Sequence, residues 1–316
     1  MRIGIIGLGA IGGVVAARVL ARRVNPWSED VVALAAGRAA AAIRASGVRV
    51  DGEAAVRPAS VGEMLPEGVY DLILLCTRTG DTERALGPAA PCLAPDGAVV
   101  CLQNGLPEER AAAIVGRGRV LGAVIGWSAS MRAPGDYVVT GGGNFVLGGE
   151  SPRRHEALEV LCSVFPVRET DNLAGARWSK LAMNCAMSTL GAISGLSLGE
   201  MAARRDARGL ALRVVAEAVG AARGKGVRLE PVAGIRPDLL LRLPAPLQHA
   251  AIWLAARRRP GQRTGMIERL RSGRPAGVED LNALVDAPLN RRLVEMVHEI
   301  ERGQRRISPD NLAQLA

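Results

Sequence analysis

Histidine, cysteine and lysine are all scarce in this chain, and each scarcity bears on function. Three histidines, His155, His249 and His298, argue against a multi-histidine metal centre, so no metal site is expected. Five cysteines (Cys76, Cys92, Cys101, Cys162 and Cys185) are scattered without metal-ligand or disulfide-framework spacing. That usage fits a reducing compartment, and a cytoplasmic protein is expected. No apolar window runs unbroken for the roughly 18 residues that a membrane span requires, so no membrane partner is expected. Aromatics are only 3% of residues, and the basic side chains behind the net charge of +9 form no stripe with them. That charge reads as solvated surface rather than a nucleic-acid footprint. Lysine occurs only at Lys180 and Lys225 in a chain that otherwise uses arginine.

What is present starts at once. Ile3-Gly4-Ile5-Ile6 reads as a short buried strand running into Gly7-Leu8-Gly9-Ala10-Ile11-Gly12 and an apolar helix. Gly7 permits the tight turn, Gly9 lets backbone approach a pyrophosphate, and Gly12 lets helix pack on strand. The backbone N–H groups of Leu8, Ala10 and Ile11 complete the phosphate cradle at the helix start. Arg2 ahead of an apolar run is also how a secretory leader begins, but a leader has no use for three glycines at these spacings.

Val31 to Ala35 predicts the second strand. An NAD site places an acid at the end of this strand; here Arg38 follows instead, with a donor fork suited to a 2′-phosphate, which favours NADP(H). Asp71 to Cys76 is a buried strand leading to Thr77-Arg78-Thr79-Gly80, with a helix from Asp81 capped by Thr79 or Asp81. Strands at Ala98 to Leu102, ending in Gln103-Asn104-Gly105, and at Val120 to Ile125 continue the pattern. Strands alternating with helices predict an α/β domain over 1–170, a Rossmann-type doubly wound parallel sheet. From about 172 the period becomes helical, including segments at 277–286 and 289–300, so 171–316 is expected to be all-helical. The binding cleft is expected between the domains.

These segments together resemble the ketopantoate reductase family. The resemblance rests on the opening fingerprint, Arg38, Arg78 where the family usually has lysine, Gln103-Asn104-Gly105, Lys180-Leu181-Ala182-Met183-Asn184, Gly273-Arg274-Pro275 and Leu281-Asn282. It implies a 6-phosphogluconate-dehydrogenase-like helical domain for substrate binding and dimerisation, a homodimer, and NADP(H) as cofactor. It implies that Lys180 is the general acid, a role open to a desolvated lysine and closed to arginine. Arg78 and Asn104 are implied cofactor contacts, Asn104 also reaching substrate. Asn184, on the same helical face as Lys180, is an implied substrate donor.

The departures are specific. Ser188 replaces a second substrate-binding asparagine. Gly265-Met266 replaces a Ser-Met pair, leaving Thr264 as the nearest hydroxyl. Ala276-Gly277 replaces Thr-Glu, so the acidic partner of the lysine is missing, and Glu279 stands two residues on. The segment after Asn282 is shorter than in the family. The reading is an NADPH-dependent reductase of a small 2-oxo acid, ketopantoate first. The alternatives are another carbonyl or imine substrate in a specialised or opine-like pathway, or an inactive NADP(H)-binding protein.

Overall fold

The computed structural model describes residues 1–21, 31–35, 37–257 and 260–315, with Gly37 and Arg38 described by backbone alone. Contacts divide the chain into two compact units, Met1–Leu173 and Ala174–Ala316.

The first unit contains β1 (Ile3–Ile6), α1 (Ala10–Ala21), β2 (Val31–Leu34), α2 (Gly37–Ser46), β3 (Arg49–Val50), β4 (Ser60–Gly62), β5 (Tyr70–Leu75), α3 (Thr82–Leu86), β6 (Leu93–Cys101), α4 (Glu108–Val115), β7 (Val120–Ile125), β8 (Ser128–Ala133), β9 (Asp136–Gly141), β10 (Phe145–Gly148), α5 (Arg154–Cys162) and β11 (Val167–Glu169). The main sheet has the order β11-β10-β7-β6-β5-β1-β2-β4. Ile3–Ile6 of β1 and Leu72–Leu75 of β5 are unbroken apolar runs because both faces are covered. Within β5, Leu72 and Leu74 join one core with α1, while Ile73 and Leu75 join the other with Leu86 of α3 and Ala111 of α4. The chain winds outward from β1 through β2 to β4, then returns to β5 on the other side of β1, so the strand order reverses between β1 and β5. Ligands of such sheets bind at the carboxyl ends of the strands flanking that reversal.

The sheet departs from the all-parallel expectation at one pair: β10 runs antiparallel to β7. The intervening chain is the β8–β9 hairpin rather than a helical crossover, and a hairpin leaves the chain free to return antiparallel. This hairpin and β3 form a second sheet, β3-β9-β8, packed on α1.

The second unit is built from α6 (Leu173–Ser194), α7 (Leu198–Ala203), α8 (Arg205–Gly224), α9 (Pro237–Leu240), α10 (Ala245–Arg257), α11 (Gly265–Arg271), α12 (Pro288–Glu301) and α13 (Asp310–Ala313). The predicted helix at 277–286 is instead two 3-10 turns, Val278–Asp280 and Asn282–Leu284. Gly277 at φ 82° and Leu281 at φ −128°, ψ −93° each break the helical path. The fully buried Asn282 and Asn290 secure this region. The Asn282 amide donates to the Cys185 carbonyl of α6 (3.2 Å) and to Asn290 Oδ1 (2.9 Å), and Thr189 of α6 donates to Asn282 Oδ1. Glu217 of α8 accepts from the Leu289 and Asn290 backbone N–H groups at 2.9 Å, satisfying two donors of the first turn of α12.

Candidate functional site

In the first unit the glycine loop connects β1 to α1. Gly7 adopts φ 97° and donates its N–H to the Leu34 carbonyl at 3.1 Å. A Cβ at Gly12 would lie 2.0 Å from the Gly7 oxygen and 2.9 Å from Cys76 Cβ, whereas a Cβ at Gly9 would meet nothing within 4 Å. The loop is thus closed where helix meets strand and open at Gly9. Ala10 and Ile11 are half-buried and Leu8 is buried. With no acidic side chain in its first turn, α1 presents a positive end to an anion. Cys76 is half-buried and packs with its Cβ against the position of Gly12, and burial pushes its thiol up to about 12.

The ends of β5 and β6 are joined by the buried Gln103, whose amide nitrogen lies 3.1 Å from Thr77 Oγ1, 2.9 Å from the Arg78 carbonyl and 3.0 Å from Thr82 Oγ1. The caps expected for α3 are used elsewhere. The Thr79 hydroxyl donates to the Asn104 carbonyl, and Asp81 pairs with Arg78 (2.9 Å) and Arg84 (2.8 Å). Partial burial pushes the Asp81 carboxyl up, but these two arginines outweigh it and hold the group below its usual range. The Asn104 side chain is exposed. The glycine loop, Arg78 and Asn104 therefore meet at the carboxyl ends of the adjacent strands β1, β5 and β6. Arg38 falls in the first turn of α2, after β2, and its side chain lies outside the described residues.

One residue of this region was not evident from the sequence. Tyr137 of β9 is fully buried and donates its hydroxyl to the Leu8 carbonyl of the glycine loop at 2.9 Å. The only sequence signal is that tyrosine occurs twice in the chain.

In the second unit Lys180, Asn184 and Ser188 repeat every four residues along α6 and are all half-buried, while Leu181, Cys185 and Thr189 beside them are buried. Thr264, at the start of α11, donates its hydroxyl to the Ser188 carbonyl at 3.2 Å. The structure thus brings Thr264 to the Ser188 end of this face. Glu279 turns to α12, with Oε1 3.4 Å from His298 Nε2. His298 Nδ1 lies 2.9 Å from Glu301, which also accepts the Ala276 N–H at 2.7 Å. Among the described residues no group of three His, Cys, Asp or Glu side chains could hold a metal ion, and no helix is long and apolar enough to cross a membrane.

Residues 3–151 match the ketopantoate reductase PanE/ApbA family and residues 172–301 match the ketopantoate reductase PanE/ApbA C-terminal family. The chain belongs to the ketopantoate reductase PanE/ApbA family. A 2-dehydropantoate 2-reductase of Mesorhizobium japonicum is 28% identical over 327 residues, covering 91% of this chain and 93% of that protein. One of Pyrococcus horikoshii is 29% identical over 236 residues, covering 73% and 76%. The crystal structure of a PanE/ApbA family ketopantoate reductase from Ralstonia eutropha is similar at TM-score 0.78 and 26% identity, covering 96% of this chain and 99% of that one. A D-mandelate dehydrogenase solved with NADH and anilino(oxo)acetate shares the fold at TM-score 0.80 and 20% identity, with the same coverage. Membership of this family supports, at the level of the family, an NADP(H)-dependent oxidoreductase of the 2-oxo-acid reductase type.

Proposed function

We propose that the protein reduces a small 2-oxo acid with NADPH, ketopantoate being the first substrate to test. The observation that carries this reading is the half-buried Lys180–Asn184 face of α6, in a chain whose glycine loop is open at Gly9 and closed at Gly12. That opening suits a pyrophosphate held by the Gly7–Gly12 backbone, with Arg78 and Asn104 at the neighbouring strand ends and Arg38 assigned to the 2′-phosphate. Bound there, NADPH would supply the hydride that adds to the carbonyl carbon. Lys180 gives its ammonium proton to the carbonyl oxygen, which becomes the product hydroxyl, and the neutral amine is reprotonated from water. Asn184 orients the substrate by donating its amide N–H. The unit beginning at Ala174 is assigned substrate binding and dimerisation, and mass measurement in solution checks the homodimer.

A second reading keeps the chemistry and changes the acid. Ser188 is short, its carbonyl already accepts from Thr264, and a Cβ at Gly265 would meet nothing within 4 Å. These features favour a 2-oxo acid with a larger, less polar substituent than ketopantoate. Comparing kcat/KM across ketopantoate, aliphatic and aryl 2-oxo acids and imines, by NADPH absorbance, separates the readings. NADPH binding with no turnover of any of them would instead support a non-catalytic NADP(H)-binding protein.

A further inference from the structure

We propose that Tyr137 is a positioning residue for the dinucleotide, aiming the Gly9 N–H of the glycine loop at the pyrophosphate. The inference rests on the reading that this loop holds NADP(H). Its geometry is local. Leu8 C=O and Gly9 N–H belong to one peptide group, and in a planar trans peptide the two point in opposite directions. Tyr137 holds the carbonyl end from inside the unit, at 2.9 Å and with its ring fully buried. The Gly9 N–H is thereby turned to the other side, where the exposed Gly9 leaves its surroundings open. A glycine loop is free to rotate such a peptide plane, and that freedom is what the phenol removes.

The ring is held as firmly as the carbonyl. Tyr137 sits in the central strand of the β3-β9-β8 sheet, opposite Val50 on one side and Met131 on the other. Its backbone carbonyl accepts from Asp51 N–H at 3.0 Å. A Cβ at Gly13 would lie 2.0 Å from the ring, so the residue after the fingerprint must be small for Tyr137 to pass under the loop. Burial pushes the Tyr137 phenol up, which keeps it protonated and a donor throughout the working pH range. The small β8–β9 hairpin, which interrupts the parallel winding of the main sheet, thus acts as the brace of the phosphate loop.

The test is Tyr137→Phe, which keeps the ring and removes only the donor. Dissociation constants are measured for NADPH and for adenosine 2′-monophosphate, which carries no 5′-phosphate and so makes no use of the glycine loop. NADPH is expected to bind about five- to tenfold more weakly, as for loss of one buried hydrogen bond. Adenosine 2′-monophosphate is expected to bind unchanged, and kcat at saturating NADPH to stay within about twofold. Unchanged NADPH affinity, or equal weakening of both ligands, would overturn the proposal, since a merely structural role weakens both. If the wild type binds neither NADPH nor NADH, the cofactor reading itself falls. Should the variant not fold, fluorotyrosine labelling of the wild type serves, since Tyr70 is the only other tyrosine. The Tyr137 fluorine signal is expected to move with NADPH and to stay still with adenosine 2′-monophosphate; any other pattern contradicts the proposal.

Discussion

Glu279 faces His298, its carboxylate 3.4 Å from the ring nitrogen. It is the acid nearest in sequence to Gly277, where the family carries glutamate, and it is committed to α12. Gly277 itself adopts φ 82°, a left-handed conformation that strains any other side chain. Glu279→Gln is therefore expected to leave kcat within about twofold of the wild type. The Glu279 carboxylate is 57% exposed, so the loss of stability is expected to stay below about 1 kcal/mol. A loss of kcat approaching that of a Lys180 variant would show that Glu279 supports the acid after all.

The glycines of the loop divide into two kinds. Gly12→Ala forces a Cβ to within 2.0 Å of the Gly7 oxygen and is expected to lower the melting temperature. Gly9→Ala meets no protein atom within 4 Å and is expected to fold normally while weakening NADPH. Melting curves paired with NADPH titrations check both; a Gly9→Ala variant that binds NADPH normally would remove that opening from the cofactor site.

The buried amide of Asn282 predicts a different kind of loss. Asn282→Ala removes partners from Thr189, the Cys185 carbonyl and Asn290 at once. A cost of about 2–3 kcal/mol is expected, read as a lower urea midpoint at unchanged slope. A loss under about 0.5 kcal/mol would mean that water replaces the amide.

Cysteine labelling reports the same packing. Burial pushes the Cys76 thiol up to about 12 and raises that of Cys185 as well. A raised pKa keeps the thiol protonated until the pH approaches it, so both cysteines are expected to resist alkylation from neutral to mildly alkaline pH. The exposed Cys162 is expected to react first. Labelling of Cys76 in the native protein at neutral pH would show that its packing against Gly12 opens.

Much of this was legible in the sequence where one segment carries its own instruction. The β1–α1 junction is marked by Gly7 and Gly12, where a Cβ would be strained or would clash, and β5 by an apolar run covered on both faces. The Lys180–Asn184–Ser188 face follows from four-residue spacing alone. Relationships that close over distance were not legible. Tyr137 meets Leu8 across 129 residues, Thr264 meets Ser188 across 76, and Thr79 spends its hydroxyl on Asn104 rather than on its own helix. The segment 277–286 carries a helical period, yet the dihedrals at Gly277 and Leu281 fold it into separate turns. Local period competes there with the buried Asn282 contacts, which no window of sequence contains.

The most direct measurement sets the wild type beside Lys180→Ala, following NADPH oxidation with ketopantoate and with a panel of other 2-oxo acids. Turnover of at least one acid by the wild type is expected, with kcat lower by roughly 10²–10⁴ in the variant and NADPH affinity nearly intact. A wild type that binds NADPH but reduces none of them, or a Lys180→Ala variant as fast as the wild type, would contradict the assignment of α6 as the catalytic face.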